Sequence, residues 1–236
     1  MKIFNLYISM LVLTSAVALA NSEYETLLVE QVKNSIENAK NGVSRLDDRV
    51  LSIDGMSSSK VRHLLNNLCS LPSTSYLEIG VWQGSTLISA LFGNRNSISH
   101  AIAVDNWSQF GGPKMAFMQN ITKLLSAKSV HFYDQDCFSI NKAIFKYPVT
   151  TYFYDGDHDQ ESQYKAFTYF NDVFADVFIA VVDDWNWDAV QVGTRNAFKD
   201  LGYQVLFEEV LLANYTGDKE GWWNGLYIGV IKKGVA

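Results

Sequence analysis

From Tyr76 onward, short apolar runs alternate with stretches in which apolar side chains recur about every 3.6 positions. The runs are Tyr76–Ile79, Ala101–Val104, Val130–Tyr133, Thr150–Tyr154, Val177–Val182, Gln204–Phe207 and Leu226–Ile231. Amphipathic stretches of helix length lie near 85–92, 112–125, 138–144, 159–171 and 188–200. Such alternation predicts an α/β fold with a mostly parallel sheet and helices on both faces. No helical stretch separates the last two runs, so they are expected to pair antiparallel in a sheet of seven strands. Upstream, Leu27, Leu28, Val32, Ile36 and Ala39 mark a helix over 23–40, ended by Asn41-Gly42. A second helix is expected over 57–68, with Ser57 to Ser59 as caps and Val61, Leu64, Leu65 and Leu68 on one face. Leu71-Pro72-Ser73 breaks the chain. Residues 21–72 therefore read as a helical segment packing on a domain of residues 73–236.

Residues 1–20 follow a different rule. Lys2 precedes a stretch from Ile3 to Ala20 that is apolar apart from Asn5, Ser9, Thr14 and Ser15. It ends in Ala18-Leu19-Ala20, a small-x-small pattern ahead of polar Asn21-Ser22-Glu23. A cleavable secretory signal or membrane anchor reads this way, and membrane contact would run through residues 3–20. A membrane-spanning helix needs about 20 apolar residues. The plainer alternative is an apolar helix packed on the domain.

Composition narrows the function class. The chain has 236 residues, 48% hydrophobic and 19% charged, which suits one well-buried domain. A formal net charge of -6, with no run of basic residues, argues against a nucleic-acid partner and for a small-molecule acceptor. Cys69 and Cys137 belong to no CxxC pair, which points away from zinc ribbons and thioredoxin chemistry. Two free thiols are expected in preference to a disulfide between them. Nothing in the sequence sets the oligomeric state, and a homo-oligomer stays among the expectations.

Several strands end in a carboxylate: Asp105, Asp155 and Asp183. In open α/β sheets, ligands bind outside the carboxyl ends of the strands, so these acids should collect along one edge. The first run continues as Glu78-Ile79-Gly80-Val81-Trp82-Gln83-Gly84-Ser85 and opens a helix. Gly80 permits a tight turn, and Gly84 lets the helix start close to a ligand. Asp105, twenty-one residues beyond Gly84, is placed to accept from the ribose hydroxyls of an adenosine. The loop lacks the GxGxxG of a dinucleotide site and the GxxxxGK[ST] of a phosphate loop, so an adenosine-containing ligand without phosphates suits it better.

Glu78-Ile79-Gly80-x-x-x-Gly84 followed by Asp105 resembles the first two motifs of class I S-adenosylmethionine-dependent methyltransferases. It is similar to their small-molecule branch, which includes catechol, caffeoyl-CoA and macrocin-type O-methyltransferases. The resemblance covers about residues 55–233. It implies a Rossmann-like three-layer sandwich whose seven-stranded, mostly parallel sheet has an antiparallel last strand. It further implies that Glu78, Gly80 and Gly84 line the methionine part of the cofactor, that Asp105 holds the ribose, and that Asp136 and Cys137 flank the adenine. Ser85, which opens the helix, joins the expected cofactor-binding set. The usual middle glycine of GxGxG is absent. A cytosolic cofactor implies a cytoplasmic protein, against the exported or anchored location that residues 1–20 suggest.

Tyr154-Asp155-Gly156-Asp157-His158-Asp159 follows the fourth run and Val181-Val182-Asp183-Asp184-Trp185 the fifth. Asp155, Asp183 and Asp184 on adjacent strands are expected within reach of one point. Three hard oxygen ligands, with room for water and substrate, are how a Mg²⁺-type site is built. By resemblance, the catechol-type enzymes bind their metal at these positions, with asparagine where this chain has Asp184. The metal would act as a Lewis acid on an acceptor hydroxyl. Asp155 and His158 are the candidate catalytic residues, His158 as base because an imidazole ordinarily titrates near neutrality. The bland alternative is that Asp157 or Asp159 only caps the following helix. His63, His100 and His131 lack such context. All six tryptophans are expected at the ligand edge, with Trp185, Trp222 and Trp223 as walls of the acceptor pocket.

Two other functions fit parts of the chain. An NAD-type oxidoreductase could use the same sheet, and Tyr215 and Lys219 have the Tyr-x-x-x-Lys spacing of short-chain dehydrogenases. Gly217 makes that stretch a poor helix. An exported domain that binds ligand without turnover would explain residues 1–20.

Overall fold

The computed structural model describes residues 22–125 and 130–234. The segment read as a signal or anchor lies outside the described residues. Among the described residues, no helix is long and apolar enough to cross a membrane.

Seven helices and seven strands are described. Helix α1 covers residues 22–40, followed by α2 (Asp48–Leu51), α3 (Ser59–Leu68), α4 (Ser85–Leu91), α5 (Lys114–Leu124), α6 (Gln160–Thr168) and α7 (Asp188–Asp200). The strands are β1 (Thr74–Ile79), β2 (Ile98–Asp105), β3 (His131–Asp134), β4 (Val149–Tyr154), β5 (Phe174–Val182), β6 (Gln204–Leu211) and β7 (Leu226–Lys232). They form one sheet in the order β3-β2-β1-β4-β5-β7-β6. β1 to β5 run parallel, and β7 lies antiparallel between β5 and β6. This is the mostly parallel, seven-stranded α/β sheet with an antiparallel last pair that the alternation of runs predicts.

Strand alternation divides the core between two faces. Tyr76, Phe153, Ile179, Val181, Ile228 and Val230 face helices α1, α3 and α4, where Leu28, Val32, Ile36, Leu64, Leu65 and Ile88 pack. Leu77, Ile79, Tyr152, Tyr154, Phe178 and Val182 face α6 and α7, packing with Phe167, Val190 and Phe198. The result is three layers. Both faces of β1, β4 and β5 are covered, which is why those strands read as nearly unbroken apolar runs.

Register brings the strand ends together. Ile79 pairs with Val104 and Tyr154, Tyr154 pairs with Val182, and Val182 pairs with Tyr227 at the start of β7. The segments leaving β1, β2, β4 and β5, and the one entering β7, therefore share one edge.

One expected helix is absent. Residues 138–144 form two short 3₁₀ turns, Cys137–Ser139 and Lys142–Ile144. Asp136 accepts from Phe138 N–H and Asn141 from Ala143 N–H. Side chains that bond their own backbone two residues on favour turns over a continuous helix. α6 also ends earlier than 171, and a 3₁₀ turn at Asn171–Val173 leads into β5. Both cysteines are free.

Candidate active site

A cavity of about 560 Å³ opens at the carboxyl edge of the sheet. Its floor is the β1–α4 turn. Gly80 has φ +81°, and a Cβ there would lie 1.9 Å from the Asp155 carbonyl oxygen, so only glycine fits where β1 and β4 separate. Gly84 also has φ above zero and packs against the Phe117 ring. It shapes the start of α4 without lining the cavity, whereas Ser85 lines it.

Asp105 ties the first two loops together. Its Oδ2 accepts from Val81 N–H and Trp82 N–H, both at 2.8 Å, and its Oδ1 accepts from Trp107 N–H at 2.6 Å. Trp107 Nε1 then donates to the Trp82 carbonyl at 2.9 Å. The acid lines the cavity with one carboxylate oxygen carrying a single bond. Asp136 and Cys137 line the cavity beside Phe138.

Glu78 does not line the cavity. Alternation along β1 turns it toward α4, where it is fully buried and accepts from Tyr76 Oη and Thr86 Oγ1, both at 2.6 Å. Burial raises its pKa to about 7, against the lowering effect of those two hydroxyls. The residues that reach the cavity here are Ile79, Gly80 and Thr86.

The acids after β4 and β5 converge. Asp155, His158 and Asp184 each offer a ligand atom within 4.8 Å of the others. His158 Nε2 lies 2.6 Å from Asp184 Oδ2, and Asn224 Nδ2 donates to Asp184 Oδ1 at 2.7 Å. Asp183, expected as the third metal ligand, lines the same cavity but stands outside this trio; His158 takes its place. Asp183 is 2% exposed and its Oδ1 has no hydrogen-bond partner among the described residues. Burial, then the neighbouring carboxylates, pushes Asp155 and Asp183 well above the ordinary carboxylate range. Like charges held together out of water favour a proton or a cation between them. Asp159 caps α6 by accepting from Glu161 and Ser162 N–H. Asp157 instead accepts from Gln109 Nε2 at 2.8 Å across the cavity mouth.

The tryptophans divide. Trp82, Trp187 and Trp223 line the cavity, and Trp187 meets the His158 ring at 4.7 Å. Trp185 and Trp222 do not. Trp185 is 2% exposed and stacks on Tyr227 at 4.6 Å, and Trp222 packs in the core on the α1 side. The turn at Trp185 aims its side chain inward, so placement after a strand does not by itself make a wall residue. Trp82, Phe110, Asp184 and Trp223 all have φ between 43° and 60° and all line the cavity. Backbone strain of this kind gathers at functional sites. Met56, Phe110 and Asn224 also line it, and the sequence patterns did not single them out. The Tyr215–Lys219 segment is a run of turns.

Sheet order and glycine turn together give an α/β fold of the methyltransferase type. In keeping with this, residues 77–185 match the model of a methyltransferase domain family. No curated protein sequence matches the chain. Among solved structures, the chain is similar to cofactor-bound Rv0187 from MTB, with a TM-score of 0.57, 14% identity and coverage of 86% of this chain and 90% of that one. It is similar to TrmN from Thermus thermophilus, with a TM-score of 0.55, 11% identity and coverage of 78% of this chain and 51% of TrmN. TrmK from M. capricolum, in complex with S-adenosylhomocysteine, gives a TM-score of 0.51, 14% identity and coverage of 72% and 67%. The chain thus spans about half the length of TrmN. These identities establish a shared fold.

Proposed function

We propose that the protein transfers the methyl group of S-adenosylmethionine to a hydroxyl of a small molecule, with a divalent metal, Mg²⁺ first, beside the cofactor. One observation carries the reading: Asp155, Asp184 and His158 converge, with the unpartnered buried oxygen of Asp183, in the cavity that begins at the glycine turn. Asp136 and Cys137 would flank the adenine, Asp105 the ribose, and Gly80 and Ser85 the methionine part. Asp155 and Asp184 would hold the metal, with Asp183 or His158 as third ligand. When bound, the metal supplies Lewis acidity that makes an acceptor hydroxyl easier to deprotonate. Much of the rate would come from holding the acceptor oxygen in line with the methyl group. The aromatic walls, Trp82, Trp187 and Trp223, suit an acceptor with a flat or apolar face.

The charge of the cavity supports a small acceptor over a nucleic acid. Asp105, Asp136, Asp155, Asp157, Asp183 and Asp184 line it, against Lys165 and His158. A phosphate backbone would be repelled there.

The 2.6 Å His158–Asp184 pair favours a second, metal-free reading. With Nε2 bonded to Asp184, the imidazole is oriented as a base and Nδ1 is left to accept the acceptor's proton.

Transfer of labelled methyl to a panel of polyhydroxylated small molecules separates the two. Loss of activity in EDTA and its return with Mg²⁺ supports the metal. Activity that survives EDTA but falls about 10²–10⁴-fold in His158→Ala supports the base. Label in RNA and in none of the small molecules would overturn the acceptor class.

A further inference from the structure

Asn224 lies near the end of the β6–β7 connection, residues 212–225, which is far longer than the about two to five residues a hairpin needs. Connections that long tend to carry function. This one is braced from within. Asp218 accepts from the N–H groups of Asn214 and Gly221 at 3.2 and 2.8 Å, and Asp218 and Trp223 exchange backbone bonds at 2.9 and 3.0 Å. Ser58, the cap of α3, ties the loop down by donating to the Gly221 carbonyl at 2.7 Å. Thr216, Gly217, Trp223 and Asn224 line the cavity.

The Asn224 side chain is engaged at both ends. Gly217 N–H, which can only donate, lies 2.8 Å from one end of the amide, so that end is Oδ1. The other end is therefore Nδ2, and it donates to Asp184 Oδ1 at 2.7 Å. Asp184 Oδ2 is left for His158 Nε2 at 2.6 Å. The backbone repeats the link: Asn186 N–H donates to the Asn224 carbonyl at 3.0 Å, and Trp185 N–H to the Gly225 carbonyl at 3.1 Å. Asp184 has φ +58°, is buried and follows the buried Asp183. Among the described residues, Asn224 and His158 are the side chains that hydrogen-bond its carboxylate. A donor on each oxygen fixes the plane of the group against the like charge beside it.

We propose that Asn224 is a positioning residue: it presents Asp184 Oδ2 to His158 and ties that pair to the loop that faces the acceptor. The geometric claim stands by itself, and its consequence for turnover rests on the methyl-transfer reading above. On that reading Asn224 acts through Asp184 and not on the reacting atoms. It sets the direction of the carboxylate that either orients His158 as base or shares a metal with His158 and Asp155. An acceptor seated against Trp223 bears on the same loop, so its fit reaches Asp184 through Asn224.

Two variants separate positioning from folding. Asn224→Asp keeps an oxygen for Gly217 N–H and removes the donor to Asp184, whereas Asn224→Ala removes both. In wild type held in EDTA, the His158 Nε2 proton should give a downfield, slowly exchanging NMR resonance, assigned by its absence in His158→Gln. Both Asn224 variants are expected to lose it. Their kcat for the acceptor found in the small-molecule panel should fall at least about tenfold, with calorimetric binding of S-adenosylhomocysteine within about twofold of wild type. Asn224→Gln, which keeps the donor on a longer arm, should recover part of the resonance and of kcat. If Asn224→Asp fails to fold, Asn224→Ala carries the same expectation. A wild type without the resonance, variants that keep it, or a loss of cofactor affinity that matches the loss of kcat would each overturn the positioning role. Loss of the resonance in the variants, with no methyl transfer by wild type to any acceptor, would remove the methyl-transfer reading and support the positioning of Asp184 by Asn224.

Discussion

Glu78 shows how a motif residue can lie beneath a site it does not line. It lies beneath Thr86, with both oxygens bonded to hydroxyls, and is fully buried. Its pKa rises from 4.5 to about 7 on folding. The folded protein therefore holds this proton more tightly than the unfolded chain. The associated stability is fully present below pH 4.5 and is lost as pH rises through about 7. That shift corresponds to on the order of 3 kcal/mol. Glu78→Gln cannot lose the proton, so its stability relative to wild type should rise between pH 5 and pH 8 in urea denaturation. A constant difference across that range would mean that Glu78 stays charged in the fold. The carboxylates at the strand ends were legible from their positions after apolar runs. The inward turn of Glu78 was not, because the motif records a residue type and only strand alternation says which face it takes. Trp185 and Trp222 fail for a related reason: a tryptophan beside a ligand edge is large enough to pack back into the core.

Among the elements, the periodic helices and the apolar strands were legible because burial on one or both faces leaves a repeat in the sequence. Segment 138–144 was not, since side-chain bonds from Asp136 and Asn141 set its turns locally. Helix α1 is part of the same core as the sheet: Val32 and Ile36 are 0% and 4% exposed and cluster with Val230 and Tyr76. Ile36→Ala should cost about 2–4 kcal/mol in denaturant unfolding, with one cooperative transition. A loss below about 0.5 kcal/mol, or a separate early transition, would show that the helix is not integral to the domain.

For the whole molecule, the order β3-β2-β1-β4-β5-β7-β6 places six cavity-lining segments side by side, those leaving β1 to β5 and the one entering β7, and the proposed function rests on what they carry. The glycine turn and Asp105 belong to one half of that edge, Asp155, His158, Asp183 and Asp184 to the other. The two halves should therefore separate in experiment, the first governing the cofactor and the second the acceptor.

Calorimetric titration of S-adenosylhomocysteine into wild type, Asp105→Ala and Asp183→Ala, with NAD as the control ligand, tests this most directly. Wild type should bind S-adenosylhomocysteine and not NAD. Asp105→Ala should bind it far more weakly, because the loop loses its brace and the ribose its acceptor, while Asp183→Ala should bind almost as wild type does. Equal losses in the two variants, or binding of NAD in place of S-adenosylhomocysteine, would contradict the account.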